Sequence, residues 1–114
     1  MKTIAIAKGT NVRISPSKAN LVAKQIRNQN VVMAIHQLEN SNRKANVFFL
    51  SILKSAIANA MAKSASVDVE SLMVTESRVD LGTTLKRFRP RAFGRGMTIR
   101  KKSSHIFIGV GLGN

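Results

Sequence analysis

Between Leu85 and Lys102 the chain carries eight Lys or Arg residues and no acid. Like charges this dense repel one another, and none can be buried without a partner because desolvating a charge is costly. The stretch therefore has two homes: open water or an external polyanion. Phe88 and Phe93 sit among the cations, whereas solvated charge runs are usually poor in aromatics. Cations that neutralise phosphates, alternating with flat rings that stack on bases, suit nucleic-acid binding. The plainer reading is a disordered basic loop.

The rest of the composition narrows the class. A chain of 114 residues suits one domain, and 44% hydrophobic content is enough for a modest core. The net charge of +14 favours polyanionic partners and speeds association with them. The acids Glu39, Asp68, Glu70, Glu76 and Asp80 all precede Leu81, so an acid-containing body is followed by an acid-free third. That third lacks the apolar mass for a core of its own. No cysteine is present, which excludes a disulfide framework and a thiolate metal site. No long apolar run suggests a membrane span, and Lys8 ends the apolar start too early for a signal peptide. A cytoplasmic location is the expectation.

Periodicity supplies the elements. Thr3 to Lys8 reads as a short strand with Ile4 and Ile6 alternating, and Gly9-Thr10-Asn11 as a turn. Ser15-Pro16 opens a helix to about Arg27, with Ser15 as cap and Pro16 at its first position. Leu21, Val22 and Ile26 share its apolar face. Asn28-Gln29-Asn30 breaks the pattern, and Val32 to Glu39 forms a second helix burying Ile35 and Leu38. After a cap at Ser41 or Asn42, a long helix is expected from about Arg43 to Lys63. Its apolar positions are Val47, Leu50, Leu53, Ile57 and Met61, and the small residues of Ser55–Ala60 allow a close backbone approach.

Leu72 to Leu81 alternates, with Met73, Thr75, Ser77, Val79 and Leu81 on one face of a strand. Ile106, Ile108 and Val110 share a face near the C-terminus, with Phe107 opposite. The two runs are natural antiparallel partners, and the basic segment connects them. Strand character continued to Phe88 would give an arm roughly 55 Å long at about 3.3 Å per residue, far beyond a compact body. A bare two-stranded ribbon is barely stable in water, so the outer arm is expected to order only on its partner. Pro90 and Gly94 mark the tip.

Catalytic and metal patterns are absent from the sequence. His36 and His105 lack partners at metal-ligand spacing, and the serines have no matching His and Asp arrangement. Gly109-Val110-Gly111-Leu112-Gly113 has no following helix to receive a phosphate. The expectation is a protein that is not an enzyme and takes no metal or cofactor.

Three stretches carry a resemblance. Arg13–Arg27 resembles the first helix of the universal large-subunit ribosomal protein family that lines the peptide exit tunnel, number twenty-two in the bacterial naming. Ser55–Ala60 resembles that family's third helix, and Lys86–Arg95 with Ile99–Ile106 resembles its long hairpin. The resemblance spans nearly the whole chain in order. It implies an α+β fold: three helices on a small three-stranded antiparallel sheet with a long projecting β-hairpin. The body would occupy about 1–81 and 104–114, and the arm about 82–103.

It further implies a ribosome-bound structural component of the large subunit, partnered by large-subunit ribosomal RNA, neighbouring ribosomal proteins and the nascent peptide. No membrane and no obligate homo-oligomer are expected. Arg13, Lys18, Lys86, Arg87, Phe88, Arg89, Arg91, Phe93, Arg95, Arg100, Lys101, Lys102 and His105 are the RNA-binding candidates. Leu85, Lys86, Arg87, Phe88, Arg89, Pro90, Arg91, Ala92, Phe93, Gly94 and Arg95 would form a tip at the tunnel constriction near the macrolide site. Asn28-Gln29 departs from the family's usual Gly followed by a basic residue. Phe93 and Gly96 depart at the tip. The alternative from the residues alone is a DNA-bending architectural protein with a basic β-ribbon arm, which requires a helical dimer core. A cationic membrane-active protein would need a basic amphipathic helix instead.

Overall fold

A computed structural model describes residues 2–41, 43–63, 68–82, 85–90 and 96–112, with side chains described except at 2, 11, 85–90 and 96–101. The elements are β1 (Lys2–Val12), α1 (Pro16–Ile26), α2 (Val31–Glu39), α3 (Lys44–Lys63), a 3-10 turn (Val69–Ser71), β2 (Leu72–Leu81), β3 (Leu85–Pro90), β4 (Gly96–Lys101) and β5 (Ser104–Leu112). β5 lies between β1 and β2, antiparallel to both, while β3 and β4 pair in a separate two-stranded sheet. The expected α+β class holds: three helices and a three-stranded antiparallel sheet.

The centre of the core is the apolar face of β5. Ile106, Ile108 and Val110 are fully buried there, and α1 and α3 pack across them. In β1 the inward residues are the small Ala5 and Ala7, while Ile6 faces outward. Small side chains are needed on this strand because α3 lies over it. Ala56 and Ala60 are fully buried, and the Asn59 amide and Lys63 ammonium donate to the Ile6 and Ile4 carbonyls at 3.2 and 3.3 Å. These bonds occupy main-chain acceptors along an edge strand, which would otherwise remain open to pairing.

Two local readings fail for the same reason, a β-bulge. β1 continues through Gly9-Thr10-Asn11 to Val12, because β5 runs beside it and an irregularity between Gly9 and Val12 absorbs the surplus residue. A Cβ on Gly9 would stand 2.6 Å from Ile52 Cδ1 of α3, so its small size serves packing. In β2, a register shift between Val74 and Glu76 exchanges the two faces. Leu72 and Val74 are buried before it and Ser77 after it, so no single alternation covers the strand.

The helices are displaced less in position than in facing. α1 starts at Pro16 as expected, but Ser15 makes no side-chain capping bond to the helix. Its buried face is Ala19, Val22, Ala23 and Ile26, with Leu21 turned outward. Asn28, at φ 63°, takes the left-handed conformation in which Asn is one of the few tolerable non-glycine residues. It performs the glycine's conformational role while its N–H donates to the Val74 carbonyl at 2.9 Å. Asn30 caps α2 by accepting from Val32 N–H. α2 buries Val31, Ala34 and Leu38, with Ile35 partly buried against the core. α3 buries Ala45, Asn46, Phe49, Leu53, Ala56, Ile57 and Ala60, leaving Val47 and Met61 exposed. A cap at Asn42 lies outside the described residues. By length and composition α3 is apolar enough to cross a bilayer, contrary to expectation, yet its apolar face forms the body's core.

Candidate nucleic-acid interface

The ribbon's register is continuous from Leu85 opposite Lys101 to Pro90 opposite Gly96. It sets Lys86 opposite Arg100, and like charges at directly opposed positions destabilise an antiparallel pair. Pro90 falls at the end of the pairing, where its missing N–H costs least. The root of the ribbon is tied to the body. Gly82 N–H donates to the Ser103 carbonyl at 2.9 Å, and the buried Ser104 hydroxyl donates to the Ile14 carbonyl at 2.7 Å. The latter bond joins positions 90 residues apart in the sequence. A Cβ on Gly82 would stand 2.7 Å from Ser103 Oγ, so the crossing of the two root segments is tight.

Of the expected RNA-binding residues, Lys86, Arg87, Phe88 and Arg89 lie on β3, and Arg100 and Lys101 on β4. Arg91, Phe93 and Arg95, with Ala92 and Gly94, lie outside the described residues. Lys102 follows β4 and is exposed. His105 is half-buried on β5, in register with Asp80. Arg13 and Lys18 are exposed where β1 gives way to α1. The described structure thus joins Lys102 and His105 to the ribbon's root, with Arg13 and Lys18 on the adjoining body segment through Ile14.

Sequence reasoning passed over Arg43 and Lys44. They line a cavity of about 310 Å³ together with Ile14, Lys18, Leu21 and Ala45. A signal was present: cations at a helix start oppose the helix dipole, which favours anions there. Neither α1 nor α3 has an acid in its first turn. Arg78 makes the opposite case. It lies 3.8 Å from Glu76 and 3.7 Å from Asp80, and stacks 4.3 Å from the centre of the Phe107 ring. Its charge is answered within the body, although such exposed pairs are individually weak. Among the described residues, Lys18, Arg43 and Lys44 have no acidic partner.

Comparison with known sequences agrees with the topology. Residues 7–111 match the family described as Ribosomal protein L22p/L17e. A protein of Rubrobacter xylanophilus named large ribosomal subunit protein uL22 is 49% identical over 100 residues, covering 88% of this chain and 78% of the relative. The protein of that name from Leptospira biflexa is 44% identical over 106 residues, covering 93% and 91%.

Proposed function

The chain belongs to the ribosomal protein L22p/L17e family, and from that premise we propose that it binds and organises large-subunit ribosomal RNA through its basic ribbon. It is a structural component of the large ribosomal subunit, not an enzyme, and works where that subunit works, bound in the cytoplasm. The finer reading concerns what the ribbon touches.

The observation that carries it is the pairing of β3 with β4, outside the main sheet and within the acid-free part of the chain. Two strands with opposed cations gain little from each other in water. Between RNA phosphates the same cations become favourable, because counterions are released and the mutual repulsion is neutralised. The radius of gyration is 17.1 Å, against roughly 13 Å for a compact domain of 100 residues. Principal extents of 65 × 25 × 18 Å agree with an arm, about 82–103, that leaves a body formed by about 1–81 and 104–114. Such a finger reaches RNA segments that a body alone could not span.

A-form RNA presents backbone and shape more than readable base edges, so recognition is of folded structure rather than sequence. Residues 85–95 line the nascent-peptide tunnel at its constriction, near the macrolide site, with Phe88 and Phe93 beside bases or the emerging peptide. The DNA-bending alternative needs a helical dimer core, whereas the described body buries its apolar residues within one chain around a sheet.

The test is the salt dependence of binding to protein-free large-subunit RNA. Each phosphate contact contributes about 0.7 to 0.9 to the log–log slope. Replacing Lys86, Arg87 and Arg89 together by Gln should flatten the slope by roughly 2 to 3. A wild-type slope near zero would defeat the electrostatic mechanism.

A further inference from the structure

The cavity lined by Ile14, Lys18, Leu21, Arg43, Lys44 and Ala45 is not explained by the ribbon. Its floor is aliphatic and its rim is cationic. Leu21 stands 58% exposed on α1, so its side chain is open to a ligand entering the cavity. Two helix starts converge on the opening: Lys18 lies in the first turn of α1, and Lys44 and Ala45 open α3. The rim cations therefore add to the positive ends of two helices, and among the described residues no ion pair to an acid involves them.

We propose that this cavity receives one unstacked nucleotide of ribosomal RNA, its base against Leu21 and Ile14 and its flanking phosphates on Lys18, Arg43 and Lys44. The proposal rests on the RNA-binding reading above and adds a second, body-borne contact to it. The walls supply little hydrogen bonding, so the cavity selects a base by size and exposure rather than by its edge pattern. RNA fits better than an acidic peptide for a reason of place. Ile14 lines the cavity, and its carbonyl accepts the bond from Ser104 at the ribbon's root. A nucleotide held there sits where the arm leaves the body, in continuity with the strand of phosphates the arm would follow.

The experiment uses the full chain and protein-free large-subunit RNA. Leu21→Gln removes the apolar wall from an exposed helix position without altering charge. It should weaken binding about five- to tenfold, the lower end of what one base contact contributes, and leave the salt slope unchanged. Base-specific chemical probing should show one nucleotide protected by the wild type and released in the variant. The triple variant Lys18→Gln, Arg43→Gln, Lys44→Gln should instead flatten the slope.

Unchanged affinity and protection with Leu21→Gln, while the ribbon variants still weaken binding, overturns the cavity assignment and leaves the ribbon reading standing. No salt-dependent binding by the wild type overturns both. A photo-crosslinking residue in place of Leu21, read in assembled subunits, separates the remaining occupants. A crosslink to RNA supports the assignment, and a crosslink to a protein segment overturns it. Equal circular-dichroism melting curves for wild type and Leu21→Gln exclude a folding effect.

Discussion

The pair β2–β5 and the pair β3–β4 are both antiparallel and come from neighbouring stretches of one chain, yet they rest on different physics. Along β5, every second side chain from Ile106 to Val110 is removed from water by helices that cross it. The pairing of β2 to β5 is one part of a core that also includes Phe49 and Leu53 of α3. Among the described residues β3 and β4 belong to no larger sheet, and their register opposes Lys86 to Arg100. The first pair is stabilised by what the chain supplies; on the reading proposed above, the second is stabilised by its RNA partner. Identical backbone geometry thus says little about independent stability.

The largest effect that would break this contrast concerns truncation. Phe49→Ala, in the fully buried centre of α3, should lower unfolding stability by about 3 to 5 kcal/mol in urea titrations. Ile99→Ala on β4 should change it by less than about 0.5 kcal/mol, because an isolated two-stranded ribbon adds little. Equal costs would mean that the ribbon folds as part of the body.

A smaller effect sharpens how the body's sheet closes. A Cβ on Gly109 would lie 2.9 Å from Thr3 Cγ2 and 3.3 Å from the Glu76 Cβ. The central strand carries glycine where side chains of the two edge strands meet above it, and the Thr3 and Thr75 hydroxyls are 2.8 Å apart. Gly109→Ala should therefore cost about 1 to 2 kcal/mol, through a displaced edge strand, measured by the same titration.

Asn28 gives the next step down. With φ at 63°, Asn28→Val should cost about 1 to 2 kcal/mol and Asn28→Gly should be neutral within about 0.5 kcal/mol. Asn30→Ala, which removes the bond to Val32 N–H, should cost about 1 kcal/mol. The smallest effect belongs to the charged surface. Glu76→Gln should shift stability by no more than about 0.5 kcal/mol, since its contact with Arg78 is long and exposed.

The elements of the body were legible because helix starts and apolar runs are local signals. Pro16 and the Asn28–Asn30 break placed α1 and α2 to within a residue or two. The facing of side chains was less legible. Large residues were assigned to the apolar helix faces at Leu21, Val47 and Met61, and all three face water. β1 turns its small residues Ala5 and Ala7 inward beneath α3, and no one-dimensional periodicity reports how near a neighbour lies. Bulges defeated alternation in β1 and β2 for a related reason, since their register is set by β5, far away in sequence.

The ribbon was legible as chemistry and only partly as place. An acid-free run with interleaved Phe residues pointed to a polyanion. The arm was expected as an extension of the β2–β5 pair, whereas β3 and β4 pair in a sheet of their own, and the tip expected at Pro90 and Gly94 reaches beyond the described residues. Arg43 and Lys44 escaped notice because their meaning depends on α1 lying beside the start of α3. That juxtaposition arises only in three dimensions.

The central position of β5 also sets an order of events. β1 and β2 are not neighbours in the sheet; each is joined only through the strand between them. A growing polypeptide has therefore made all three helices and both strands of the ribbon before the residue that begins to close the sheet is reached. Until then the two outer strands have no shared template, and Ile14 lacks its bond from Ser104. Maturation of the body is consequently deferred until β5 has emerged, so both strands of the cationic finger exist while its own foundation is still being laid.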